Sequence, residues 1–344
     1  MKCCEVGDAR TVGRLAMAVA VLCVALTVGG PATGQPVPDD GKGTFNIQIE
    51  NDLFGSGSDR NYTSGIRLSY LSAQDDIPGW LYMAARSVPM FAAEGRLRTS
   101  YTVGQNIYTP DDLSRTDLIA DDRPYAGWLY GGIGLTSDNG QILDNLELDI
   151  GVVGPASLAE ETQKFVHRVI NSDRPQGWDN QLRNEPAFVL FYERKWRALY
   201  AFDMAGLAVD ATPHAGLALG TVYTHGAGGI TFRFGQDLPS DYGPPRIRPS
   251  LPGSGFFVPS RTFGWYLFAG VEGRAVGRNI FLDGNTFTDS HSVDKEVLVG
   301  DFQAGIAFTV GDARLSYTYV VRTREFEGQD QPDQFGAFNF SMRF

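Results

Sequence analysis

The densest run of groups able to do chemistry is Ile-Glu-Asn-Asp-Leu-Phe at 49–54, followed by Ser-Asp-Arg-Asn-Tyr-Thr-Ser-Gly at 58–65. Glu50, Asn51, Asp52 and Thr63 bring two carboxylates, an amide and a hydroxyl to one end of what side-chain alternation reads as a hairpin. Such oxygens suit a hard cation, Ca²⁺ above all, which accepts mixed carboxylate and carbonyl ligands in adaptable geometry. Alternation sends Glu50, Asp52 and Thr63 inward and Asn51 outward, so Asn51 joins the set only if its strand bulges or bends. On its own the cluster is a weak signal, because Asp-rich turns are usually solvated loops.

A second candidate lies at 157–170 (SLAEETQKFVHRVI). Ser157 with Glu160 three residues on has the form of a capping box, and Phe165, Val166, Val169 and Ile170 recur at helical spacing. Gln163 and His167, four apart, share a face of that helix. An imidazole changes charge near about pH 6.5 and can take a proton from water at neutrality. The other histidines read as structural: His214 in TPHAG as a turn residue, His225 in YTHGAGG at a rim, and His291 in TDSHS in a solvated loop. No two stand at zinc-ligand spacing. The glycine runs at 132–134 and 226–229 lack a P-loop Lys-Ser/Thr or a dinucleotide fingerprint and read as close packing or strand bending.

The elements that must position these groups are strands. The chain has 344 residues, with 41 Gly, 18 Pro and 12% aromatics, which suits one large all-β domain. Its formal charge of -11, from 29 basic against 40 acidic residues, excludes a broad phosphate-gathering surface and hence a nucleic-acid partner. Lys2, Arg10 and Arg14 precede a short apolar stretch at 15–28, and Ala32 and Gly34 suit cleavage before Gln35. The expected organisation is a signal peptide at 1–34 and a single domain at 35–344. Cys3, Cys4 and Cys23 leave with the leader, which excludes a disulfide, a Cys-rich metal site and a Cys nucleophile.

The remainder holds no apolar run of about 18 residues, so it cannot cross a membrane as helices, but it can as a closed antiparallel transmembrane β-barrel. The last segment, FGAFNFSMRF, puts Phe338, Phe340, Met342 and Phe344 on one face and Ala337, Asn339, Ser341 and Arg343 on the other. TFNIQIE at 44–50 and TSGIRLSY at 63–70 repeat the pattern. Further strands are expected near 99–108, 126–136, 142–151, 186–196, 202–219, 221–235, 262–276, 295–310 and 313–326, about twelve in all. The inserted helix is expected as a lid or plug, over or into the barrel mouth. The stretch 237–259 reads as a long extracellular loop and 277–292 as another excursion.

Several blocks together resemble the outer-membrane lipid A deacylase family: ENDLF at 50–54 with SDRNYTSG at 58–65, GQNIYTP at 104–110, DRPYAGW at 122–128, the G-x-V-G-P-A block at 151–156, QKFVHR at 163–168 and GWDNQLRNEP at 177–186. The ordered agreement extends over essentially the whole mature chain, and a terminal strand ending in Phe resembles the signal read by the barrel assembly machinery. The resemblance implies a twelve-stranded monomeric barrel in the outer membrane of a Gram-negative cell. Its implied activity is Ca²⁺-dependent hydrolysis of the 3′-acyloxyacyl ester of lipid A or lipopolysaccharide. On the family's pattern His167 matches the catalytic base, Asn51 and Asp52 the paired active-site residues, Thr63 the hydroxyl residue and Gln163 the helical Gln. The roles expected here are catalysis by His167, Asn51 and Gln163, and metal binding by Asp52 and Thr63.

The chain departs from the pattern at two places. Beyond Tyr108 and Pro110, where the family carries a lysine, stand Asp111, Asp112, Leu113, Ser114 and Arg115, and Arg115 is the substitute expected for phosphate binding. After His167 the family's acidic and tyrosine positions meet Asn171, Ser172, Asp173 and Arg174. Two other readings compete: a nonenzymatic outer-membrane channel or structural barrel, and a phospholipid acyl hydrolase, for which Ser58 supplies a serine that no sequence feature pairs with His167.

Overall fold

Strands alternating apolar and polar residues can bury neither face alone, and the chain resolves this by closing its sheet on itself. A computed structural model describes residues 41–55, 61–88, 91, 95–236, 238, 240–241, 256–259 and 261–344. The expected leader and Ser58 lie outside the described residues. The strands are β1 (Thr44–Asn51), β2 (Asn61–Leu71), β3 (Arg96–Thr109), β4 (Ala126–Asp138), β5 (Ile142–Val153), β6 (Glu185–Trp196), β7 (Tyr200–Met204) and β8 (Leu207–Gly220). There follow β9 (Tyr223–Gly235), β10 (Ser240–Asp241), β11 (Phe257–Val258), β12 (Phe263–Asn279), β13 (Leu298–Val310), β14 (Ala313–Arg322) and β15 (Asp333–Arg343). Twelve of them, all but β7, β10 and β11, form a closed antiparallel barrel in which β1 pairs with β15 and β6 with β8. The helices are α1 (Gly79–Arg86), α2 (Ala159–Ile170) and the single turn α3 (Ile280–Asp283).

The expected strand at 202–219 is two strands. Ala205 and Gly206 both take positive φ, 54° and 83°, the left-handed pair that closes a two-residue hairpin between β7 and β8. β7 thereby carries the line of β6 onward along β8, and Pro213, which has no N–H to give, stands where the β6 ladder ends.

Many inward side chains are polar, and charged ones among them form ion pairs. On β1, Thr44, Asn46, Gln48 and Glu50 are buried, while outward Ile49, like Ile66 and Leu68 of β2, is exposed. Arg233 binds Asp210 and Asp241, Arg274 and Arg322 both bind Asp301, Arg67 meets Glu147 at 2.7 Å, and Arg194 meets Asp144 at 2.7 Å. His214, expected in a turn, is a buried β8 residue 3.0 Å from Glu272, and His225, expected at a rim, is buried on β9. His291 gives its Nε2 to the carbonyl of Asp122 at 2.7 Å and is only half-buried.

The two barrel ends differ. Both chain ends of the sheet meet at one, where Gly43 and Phe344 exchange backbone hydrogen bonds. Because strands alternate in direction, β9 delivers the chain to this terminal end. The stretch 237–259, expected as an outside loop, lies largely outside the described residues, but the strands that flank it, β9 and β12, meet it at this end. Its described residues fill the bore: Phe256 and Phe257 are fully buried beneath Arg98 and Arg314, 4.4 and 4.6 Å from the ring centres. The distal end carries the connections with α2 and α3, and its bore is packed with rings. Tyr108 stacks on Phe281 at 3.9 Å, Trp128 on Tyr130 at 4.2 Å, and the Tyr108 and Tyr223 hydroxyls lie 2.6 Å apart.

Candidate active site

α2 docks on the outside of the barrel. At the distal rim an outward-facing row crosses four strands, from Asn51 to Ser64 to Ile107 to Gly127. Ile107 is buried with Tyr125, Ala159 and Trp178, and Gly127 lies directly beneath the start of α2. A Cβ at Gly127 would come within 2.1 Å of the Ser157 hydroxyl and 2.2 Å of the Ala159 methyl, so this close approach requires glycine. Gln105, two residues before Ile107 on the same face, donates from Nε2 to the Ser157 carbonyl at 2.6 Å. The expected lid or plug over the mouth is therefore corrected: the bore is filled with rings, and the smooth outer wall is what receives the helix.

The capping box is also corrected. Ser157 belongs to a 3-10 turn, Pro155–Ser157, and α2 starts at Ala159 after Leu158, whose φ of 58° is left-handed and whose side chain makes no cap. Of the helix, Ala159, Gln163 and His167 are buried toward the wall, as their spacing predicts, while Phe165, Val166, Val169 and Ile170 are exposed. Asn171 ends the helix in the left-handed conformation that asparagine tolerates.

His167 is 3% exposed and its Nδ1 meets the backbone carbonyl of Asp173. A carbonyl only accepts, so the proton of the neutral ring sits on Nδ1 and the lone pair on Nε2. At the second departure from the family pattern, a main-chain carbonyl thus orients the imidazole. Gln163 is fixed by Trp178, whose Nε1 donates to Gln163 Oε1 at 2.8 Å, and Trp178 packs on Tyr125 with ring centres 5.0 Å apart. This leaves Gln163 Nε2 buried with no hydrogen-bond partner among the described residues.

Asn51 keeps its outward parity without a bulge: its strand stays in register to the last pair, Asn51 with Ser64 and with Gly336. Its Oδ1 accepts from the Leu53 N–H at 2.8 Å and caps a 3-10 turn, Asp52–Phe54. That turn leans over the outside of β14 and β15, where Phe54 meets Phe338 and its carbonyl accepts from the Tyr317 hydroxyl at 2.8 Å. Asp52 is buried in the turn at 3% exposure. The irregularity falls at Thr63, skipped between the pairs Tyr62–Tyr108 and Ser64–Ile107; its side chain lies outside the described set. Glu50 stays in the bore and accepts from Gln48. The rim thus separates Glu50 from Asn51, and α2 supplies Gln163 and His167 on the outer side. Among the described residues no three His, Cys, Asp or Glu side chains gather as a metal site.

Against this geometry, the family described as outer membrane protein LpxR matches residues 15–344. The chain belongs to that family. Among solved structures, LpxR from Salmonella typhimurium is 22% identical, covers 87% of this chain and 99% of its own, and superposes with a TM-score of 0.71. The beta domain of the Bordetella autotransporter BrkA covers 89% and 99% at 10% identity and a TM-score of 0.43. No curated protein matches the chain. LpxR membership makes it a lipid A-modifying enzyme of the outer membrane built on this barrel.

Within the LpxR framework, Arg115 is the residue expected to substitute in phosphate binding. It is exposed, paired with Asp117, and held above its ordinary guanidinium value by that hydrogen bond. Asp111, Asp112, Asp121 and Asp122 share its hollow of about 240 Å³, a field that repels phosphate. The residues that hold the site, Gln105, Tyr125, Gly127 and Trp178, carried no role in the sequence reading, although each lies inside a block quoted for the family resemblance.

Proposed function

We propose that this protein is a calcium-dependent outer-membrane hydrolase that removes the 3′-acyloxyacyl group of lipid A with water activated by His167. The observation that supports it most is the position of His167: a buried imidazole with its lone pair on Nε2, held between α2 and the outer wall, on the side that faces lipid. Water gives a proton to Nε2 as its oxygen adds to the ester carbonyl carbon. Collapse breaks the bond to the sugar oxygen, which takes the proton back from His167, leaving a free hydroxyl and a free fatty acid. Asn51, whose Oδ1 caps the turn, is the amide assigned to the developing oxyanion. Gln163, anchored by Trp178, orients the base or the acyl chain with its buried Nε2.

The donors of the Asn51–Asp52 corner are hard oxygens, which is the chemistry Ca²⁺ requires, and Asp52 with Thr63 would be the side chains that hold it. When bound, the ion supplies positive charge that polarises the ester carbonyl. The leader at 1–34, insertion by the barrel assembly machinery and a monomeric state complete this reading. A channel finds less support, since the described bore is occupied by ion pairs and rings. The test is mass spectrometry of lipid A and of phospholipid incubated with purified protein, with Ca²⁺ or with chelator. Release of 3′-linked chains only with Ca²⁺ is expected; cleavage undiminished by chelator, or of phospholipid alone, would overturn it.

A further inference from the structure

α2 presents three faces. One carries Ala159, Gln163 and His167 against the wall, one carries Glu160, Lys164 and Arg168, and the third exposes Phe165 (60%), Val169 (67%) and Ile170 (49%). The charged face borders a cleft of about 320 Å³ closed on its other side by the segment 174–179. Its cationic lining is Lys164, Arg168 and Arg174. Lys164 is paired with Glu160, four residues earlier. The guanidinium groups of Arg168 and Arg174 are exposed and make no ion pair or hydrogen bond to another described side chain, and Asp179 is the remaining acid in the lining. Trp178 forms the cleft wall and also holds Gln163, so a group seated in the cleft adjoins the face that bears His167.

We propose that this cleft binds the phosphate of a lipid A headgroup through Arg168 and Arg174, while the apolar face of α2 lies in the outer leaflet. The ligand, though not the binding, rests on the reading of lipid A as substrate. Three observations converge on it. A planar guanidinium matches phosphate with paired N–H donors, and two without a countercharge line this cleft. The apolar face of α2 continues the lipid-facing wall below it, where Tyr101 and Val103 of β3 are 46% and 58% exposed. The helix thus has the composition of an interfacial element, with basic groups at headgroup level and aromatic and branched groups at acyl level. Finally, the hollow around Arg115 is lined by acids, whereas the α2 cleft sets three basic residues against two acidic ones.

The test uses the full chain in detergent micelles with His167→Asn, so that binding is read without turnover. It is titrated with diphosphoryl lipid A, with the same lipid stripped of phosphate, and with inorganic phosphate. Adding Arg168→Gln with Arg174→Gln is expected to weaken binding of the phosphorylated lipid by about tenfold or more and to leave the stripped lipid unchanged. In the active chain the same pair of substitutions should raise KM with kcat preserved. Equal losses for both lipids, no loss for either, or inorganic phosphate binding as tightly as lipid A would overturn the assignment. Binding as expected in a chain that releases no acyl group would refute the hydrolase reading and uphold the cleft.

Discussion

The bore and the outer rim of this barrel both bury polar groups, and they do so in opposite ways. In the bore a buried charge meets a countercharge: Asp301 lies between Arg274 and Arg322, and Asp241 between Arg233 and Arg314. On the outer side His167 and Gln163 are buried equally deeply, and they meet neutral groups, a main-chain carbonyl for His167 and an indole for Gln163. Ion pairs of the first kind fix structure, since removing one partner strands a charge. Groups of the second kind are oriented by a neutral partner, and in Gln163 the buried Nε2 has no hydrogen-bond partner among the described residues. Burial of a polar residue in a barrel is therefore no mark of function until its partners are named.

Asp52→Ala is expected to have the largest effect on activity, abolishing the calcium response and lowering acyl release by about 10²–10³-fold, the scale for losing a group that acts on developing charge. Calcium titration of acyl release checks it, and an unchanged response in a folded variant would return Asp52 to a structural role. In the bore, Asp301→Asn should leave activity per folded molecule intact and cost about 3–5 kcal/mol of stability, read from the denaturant midpoint of the refolded barrel. A fall in kcat without loss of stability would dissolve the contrast between the two regions.

Smaller effects sharpen it. Trp178→Phe keeps the ring on Tyr125 but frees Gln163 Oε1, and a lost neutral hydrogen bond predicts about a three- to tenfold fall in kcat in steady-state assays. The smallest concerns the rim. Glu325 is buried, which disfavours its charge, but Arg322 and Arg123 hold its carboxyl below the ordinary value of 4.5. A depressed carboxyl stabilises the fold fully above its unfolded value and progressively less as pH falls through the folded one. Protection of the distal-loop amides, corrected for the pH dependence of intrinsic exchange, should therefore stay constant down to about pH 4.5 and fall below it.

Much of this was legible in the sequence, for physical reasons. Period-two alternation is all that a barrel strand needs, so FGAFNFSMRF and TFNIQIE could be placed with their faces, and the four-residue spacing of Gln163 and His167 gave their shared burial. What alternation cannot tell is which side of the wall a helix takes. That depended on Gly127 having no side chain and on the bore being already full of rings. The same limit applied to Asn51, whose outward parity looked like a defect while the site was sought inside. The barrel end at which the flanks of 237–259 stand could not be read, because length and composition do not say where a strand finishes; only counting true strands does. Nor did the sequence show that Arg115 pairs with Asp117, two residues on.

The central claim, that the chemistry is on the outer wall and not in the bore, is tested most directly by three variants of buried histidines. His167 is 3% exposed, His214 3% and His225 5%, so burial alone does not distinguish them. Calcium-dependent release of 3′-linked acyl chains is measured by mass spectrometry for His167→Asn, His214→Asn and His225→Asn, each normalised to folded barrel. The account predicts a loss of at least about 10²-fold for His167→Asn alone, the usual contribution of a general base, with the two bore variants near the wild-type rate. A folded His167→Asn protein that releases acyl chains at nearly the normal rate, or a bore variant that loses as much, would contradict it.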